Sequence, residues 1–254
     1  MKLGRQNSLR VIAPAAILLC VLALWWLAAG GSPIFPTPWQ VVLGTAEMVR
    51  SGVLWKHIAT SLMRVSVGYF SAVALAIPLG VLMGWFEPLN RALNPLFQLL
   101  RPISPIAWTP LAILWFGIGG LSPIFLIFLS SFFPVVVATV SGVHGVERDY
   151  IRAARNFELN GPHFFTQVLI PAALPQIITG MRIGLGVAWL VVVAAEMIAT
   201  ESGLGYLIID ARNAVTRYDL VVSAMIIIGI IGLVLDGLMR RLEQVDQVRW
   251  RYAR

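Results

Sequence analysis

Five charged residues fall inside long apolar runs: Arg64, Arg101, Arg182, Glu196 and Asp236. A charge at the bilayer centre costs about 2.5–3.5 kcal/mol on insertion scales, so each must face a protein interior or a wet cavity and find a partner. Depth along the runs pairs Arg64 with Glu196 near one membrane face. It pairs Arg182 with Asp236 about a turn and a half from the other. Arg101 has no partner in this scheme. It either faces a passing anion from a proline-kinked helix or snorkels to the interface. Glu196 also suits a second role, as the relay carboxylate of a proton-driven carrier.

Other chemistry is poorly supplied. Cys20 is the single cysteine, and His57, His144 and His163 are far apart and flank helices, so no metal site is expected. The acids Glu196 and Asp236 sit at opposite depths, so they form no carboxylate pair, and no catalytic residue is predicted. Gly184-Leu185-Gly186 and Gly203-Leu204-Gly205 begin glycine patterns. Neither follows a strand or completes a phosphate loop, so the chain is not an ATP-hydrolysing enzyme.

The elements that must position these charges are membrane helices. Of 254 residues, 58% are hydrophobic and 12% charged, about half the charge of a soluble domain. Several apolar runs reach the ~20 residues that cross a hydrocarbon core. No alternating segments of a β-barrel occur. The fold class is all-α polytopic membrane protein with about six transmembrane helices. Spans are predicted over residues 11–29, 58–85, 93–117, 121–143, 177–199 and 220–239. The first exceeds the about 7–15 residues of a signal core and reads as an uncleaved span. Residues 31–56, with Pro33, Pro36 and Pro38, read as an external loop and an interfacial amphipathic helix. Domain boundaries follow: 1–56, then 57–241 carrying a charged loop over 144–176, then a basic tail over 242–254.

The net charge of +7 does not indicate nucleic acid, because the basic residues cluster at helix ends. Of 19 Lys and Arg, three lie within spans (Arg64, Arg101 and Arg182). Four lie on one side (Arg50, Lys56, Arg212 and Arg217), and the remaining 12 lie on the other. The bias places both termini and the charged loop in the cytoplasm.

That loop is long for a compact bundle and suggests function. Residues 146–157 suit a short amphipathic helix, and Gly161-Pro162 breaks it. Residues 163–170 suit a second, with Pro171 and Pro175 before the fifth span. The small pair Ala153-Ala154 permits close approach of a partner.

The loop resembles the coupling loop of binding-protein-dependent ABC importer permeases, written E-A-A-x3-G-x9-I-x-L-P. The chain keeps the spacing, with Ala153, Ala154 and Pro171. It departs at Arg152 for Glu, Glu158 for Gly, Val168 for Ile and Ile170 for Leu. Glu158 adopts positive φ less cheaply than glycine, so the turn is expected to move to Gly161. Further matches are Ser61-Leu62-Met63-Arg64-Val65, Leu100-Arg101-Pro102-Ile103, Leu114 to Gly119, Ala194 to Met197 and Ser202 to Tyr206. They are similar to the nitrate, sulfonate and taurine branch, which also includes bicarbonate.

The resemblance implies a type I importer permease fold in the cell inner membrane. It implies an ATPase-coupling loop of Arg152, Ala153, Ala154, Phe157, Glu158, Gly161 and Pro171. It implies a pathway for a small anion. The partners would be ATP-binding cassette ATPase subunits, a second permease copy in a probable homodimer, a periplasmic or external solute-binding protein and membrane lipid. This chain would hold no cofactor, with ATP and Mg bound by the ATPase. The alternative is a stand-alone secondary carrier or channel for small anions.

Overall fold

A computed structural model describes residues 16–17, 19–30, 34–159, 161–214 and 217–243. Its helices are α1 (Leu19–Ala29), α2 (Pro38–Arg50), α3 (Val53–Trp85), α4 (Glu87–Leu100), α5 (Thr109–Phe116), α6 (Leu121–His144), α7 (Arg148–Asn156), α8 (Pro162–Ala199), α9 (Leu204–Asn213) and α10 (Tyr218–Glu243). Four of them, α3, α6, α8 and α10, are long and apolar enough to cross a membrane. Lys2, Arg5, Arg10, the start of the predicted first span, Pro33 and the tail arginines Arg249, Arg251 and Arg254 lie outside the described residues.

Two predicted spans differ in form. The third is not one helix: α4 and the segment Pro105–Phe116 meet at 86°. Pro102 and Pro105 are the cause. The residue before a proline is pushed out of the helical region, and Ser104 has ψ 131°. The fifth begins at Pro162, not near Ile177, and runs 38 residues. Its continuity past Pro171 depends on a five-residue π-turn over Phe165–Leu169. Ile170 N–H bonds to the Phe165 carbonyl, five residues back. The α-ladder then restarts at Ile170, placing Pro171 in a first turn, where a missing N–H costs nothing.

Packing divides the chain into two units. One comprises the described residues of Met1–Lys56 with Leu207–Ile228, and the other those of His57–Tyr206 with Gly229–Arg254. Within the first, α2 starts at a capping box: Gln40 N–H donates to Thr37 Oγ1 (3.3 Å), and Thr37 N–H to Gln40 Oε1 (2.8 Å). Val41 and Met48 are buried while Trp39, Val42 and Leu43 are exposed, so the helix is two-faced. Ser223 Oγ donates to the Val41 carbonyl at 2.9 Å. Arg217 bridges Glu47 (2.7 Å) and Asp219 (3.1 Å).

In the second unit, α6 packs along α3 and α8 through stripes of small residues. On α3 the stripe is Gly68, Ala72, Ala76, Gly80 and Gly84, one residue per turn. A Cβ at Gly80 would stand 2.6 Å from Thr139, and one at Gly84 2.6 Å from Val143. On α8, Gly180 and Gly184 face Ala138 and Val135 of α6, so this glycine pair serves packing within the chain. Such contacts let backbones approach in a medium where burial against lipid gives no hydrophobic gain.

Candidate functional site

The charged loop folds into α7, a tight turn and the first turns of α8. Asp149 lies in the first turn of α7 and Arg155 in the last, both favourable to the helix dipole. The helix ends in a Schellman arrangement. Leu159 N–H reaches the Ala154 carbonyl (3.0 Å), and Glu158 N–H the Arg155 carbonyl (3.0 Å). The left-handed position is Glu158, with φ 56°, the one non-glycine at positive φ among the described residues. The turn therefore stays at Glu158, and the expectation that it moves away is corrected. Leu159, packed against the buried cluster to which Ala154 belongs, holds it there. Gly161 (φ 59°) makes a second reversal immediately before α8.

This geometry buries Ala154 and leaves Ala153 and Phe157 exposed, Phe157 at 79%. Between α7 and the start of α8 lies a groove of about 650 Å³. Tyr150, Ala153, Phe157, Val168 and Pro171 are among its lining residues. Arg152 points away into solvent, 3.7 Å from Asp149, and both side chains are exposed. Such a pair adds little stability. Phe157 thus stands as an exposed aromatic ring beside an apolar groove.

The intramembrane charges form two clusters. In the first, Arg64 Nη1 meets Glu196 Oε1 at 2.8 Å, with side chains 4% and 0% exposed. Arg64 also donates to the Ser202 carbonyl (2.6 Å) and to Ser202 Oγ (2.8 Å). Glu196 further accepts from Ser61 Oγ (2.8 Å) and Gly205 N–H (3.0 Å). Leu204 N–H donates to Ser61 Oγ (2.8 Å), and Gly203 N–H to His57 Nδ1 (2.9 Å). His57, Ser61 and Arg64 are spaced i, i+4, i+7, on one face of α3, and together with Glu196 they pin the segment 202–205. That spacing is the signal in the sequence for Ser61 and His57, which depth alone does not bring into the cluster. A Cβ at Gly203 would land on the Glu196 carboxyl, and one at Gly205 on the Val193 carbonyl beside Glu196. These glycines serve close approach, not a phosphate.

In the second cluster, Arg182 Nε meets Asp236 Oδ1 at 2.8 Å, and Nη1 meets Glu243 Oε2 at 3.0 Å. Arg240 joins Asp236 at 2.9 Å. Here the side chains of Arg182 and Asp236 are 30% and 39% exposed. Glu243 and Arg240 were not anticipated. Their signal is again spacing, since they follow Asp236 at i+7 and i+4. Arg101 stands apart: it caps the C-terminus of α4, is exposed, and has no ion pair among the described residues. No group of three or more potential metal ligands occurs among the described residues.

Comparison with known proteins identifies the family. Residues 76–245 match the family described as binding-protein-dependent transport system inner membrane component. The taurine transport system permease protein of Escherichia coli is 37% identical over 251 residues, 95% of this chain and 90% of that one. The nitrate import permease protein of Synechocystis sp. is 37% identical over 248 residues, 94% of this chain and 90% of that one. An inward-facing structure of the MetNI methionine ABC transporter shares the fold, with a TM-score of 0.64 and 18% identity, covering 76% of this chain and 95% of that one. The chain therefore belongs to the binding-protein-dependent transport system inner membrane component family, as a permease subunit of an ABC importer and not its ATP-hydrolysing subunit.

Proposed function

We propose that this permease carries a small oxyanion or sulfonate across the inner membrane and is driven through the groove beside α7. The observation that carries the coupling role is the exposed Phe157 and Ala153 on an apolar groove of about 650 Å³. A helix edge of the ATPase subunit fills that groove, Phe157 acting as anchor and Ala153 giving close approach. ATP and Mg stay on the ATPase. A solute-binding protein delivers the anion at the opposite face, and a second copy of this chain completes the pathway. Both termini lie in the cytoplasm, which the distribution of Lys and Arg supports.

The substrate class draws on the relatives, which are described as taurine and nitrate permeases. Arg101 adds weak support as an exposed cation in a proline-broken segment. The test is purification of the tagged chain from its native membranes. An ATPase subunit is expected to copurify with the parent and to be lost from Ala153→Trp. If Ala153→Trp retains the ATPase, the groove is not the dock. Uptake of nitrate, bicarbonate, taurine or an alkanesulfonate by the reconstituted complex then decides the substrate, and transport of none of them overturns the oxyanion or sulfonate reading.

A further inference from the structure

The π-turn that opens α8 has a consequence for how motion at the groove reaches the membrane. Along α8 the buried residues facing the loop core are Phe164, Leu169, Ala173 and Ile177. Their spacings are five, four and four. Four is the α-helical step, and the single step of five falls on the π-turn Phe165–Leu169. The extra residue is therefore what keeps Phe164 on the same face as the rest of the stripe. In a plain α-helix Phe164 would be rotated about 100° away. Pro171 fixes the site of the extra residue. It has no N–H for the carbonyl of Gln167, and in an unbroken α-ladder its ring would collide with that carbonyl.

Phe164 is held from a second side. Trp85, the last residue of α3, packs on Phe164 (centroids 5.0 Å apart) and on Phe165 (5.6 Å). Phe164 and Ala154 of α7 belong to one buried cluster, which Val81 of α3 and Val143 of α6 also join. Gln167, Val168, Pro171 and Ala172 form the α8 wall of the groove. The rotational phase set at the π-turn therefore decides both which residues line the groove and whether α7 is locked to α3.

We propose that the π-turn, with Pro171, Phe164 and Trp85 as positioning residues, sets the angular phase between the α7 groove and the span α8, so that movement of α7 is transmitted to α3 and α8 as one body. The proposal rests on the reading of the groove as the ATPase dock. Pro171 and the extra residue act as a matched pair. Deletion of Thr166 alone leaves the proline demanding a register change that the shortened turn meets only with Phe164 out of phase. Deletion of Thr166 together with Pro171→Ala yields an unbroken α-helix in which Phe164 is back in phase.

The test uses the whole importer, with its ATPase and binding protein, reconstituted in proteoliposomes, and reads substrate taken up per ATP hydrolysed. Deletion of Thr166 is expected to lower that ratio about fivefold, within the range of network mutations on coupling. Addition of Pro171→Ala is expected to restore it. A deletion variant coupled like the parent, or a double variant no better than the deletion, overturns the proposal. If the deletion variant does not assemble, Trp85 decides. Trp85→Phe keeps an aromatic clamp and is expected to couple normally, while Trp85→Ala loses coupling with the ATPase still bound. A Trp85→Ala importer with the parent's ratio overturns the proposal. Loss of the dock itself reads differently, because Ala153→Trp removes the ATPase from the complex.

Discussion

The Arg64–Glu196 cluster and the α7 turn invert each other's logic. In the first, charges are buried and nearly every donor and acceptor is matched inside the chain. In the second, apolar groups are exposed, and Phe157 is 79% exposed among the described residues. A buried ion pair gives little net stability, but losing one member leaves an uncompensated charge. An exposed apolar groove leaves the fold indifferent, and on the proposed reading it awaits the ATPase. The contrast separates a strut that holds two helices and a loop in one geometry from a surface proposed to act only on docking.

The strongest way to break the contrast is Arg64→Ala. It should destabilise the chain by about 3–5 kcal/mol, because Glu196 remains buried without its cation. Thermal unfolding in detergent measures this, and Arg64→Ala with Glu196→Ala should recover part of the loss. Ala153→Trp should do the reverse. Its unfolding should match the parent, while ATPase association weakens at least about tenfold, near 1.4 kcal/mol.

The second charge cluster sharpens the comparison, because it is ionic but half-open. Arg182→Ala should destabilise the chain less than Arg64→Ala does, since Arg240 stays 2.9 Å from Asp236 and keeps its carboxylate paired. Glu158→Gly should stabilise the loop by roughly 0.5–1 kcal/mol, by relieving a left-handed conformation that glycine adopts freely. Slower exchange of the Leu159 amide would report it.

The smallest effect lies in the other unit. The hydrogen bond from Arg217 holds the Glu47 carboxyl below its ordinary range, and nearby Glu47 and Asp219 raise Arg217. A carboxyl with a depressed folded value contributes fully above its unfolded value, about 4.3. That contribution is lost as pH falls through the lowered value. Unfolding followed from neutral to acid pH should therefore show a loss below the ordinary Glu range that Arg217→Gln removes.

Much of this was legible in the sequence, for reasons that differ by residue. Depth placed Arg64 opposite Glu196 and Arg182 opposite Asp236, and the structure forms both contacts. An intramembrane charge has few places to go, so depth alone constrains its partner. The wider clusters were less visible. Ser61 and His57 are ordinary polar residues until the i, i+4, i+7 spacing is set against the segment 202–205. Gly203 and Gly205 looked like an incomplete phosphate pattern, and only the positions of Glu196 and the Val193 carbonyl show why no Cβ fits. The turn at Glu158 escaped because local preference argued for glycine, while Leu159 packing on the loop core outweighs that preference. The break in the third predicted span was written in Pro102 and Pro105, but its size of 86° was not. The π-turn left only a spacing of five between Phe164 and Leu169. That spacing means nothing until burial shows the two residues on one face.

The measurement closest to the central claim is crosslinking from the groove beside Phe157. Cys20 is the single cysteine, so Cys20→Ser with Ala153→Cys gives one small reactive site in the groove and leaves Phe157 in place. A short bifunctional reagent applied to native membranes should join position 153 to an ATPase subunit carrying a phosphate-loop motif. A matched Cys20→Ser, Trp39→Cys chain should not form that product. An ATPase adduct from position 39 and none from 153 would contradict the account.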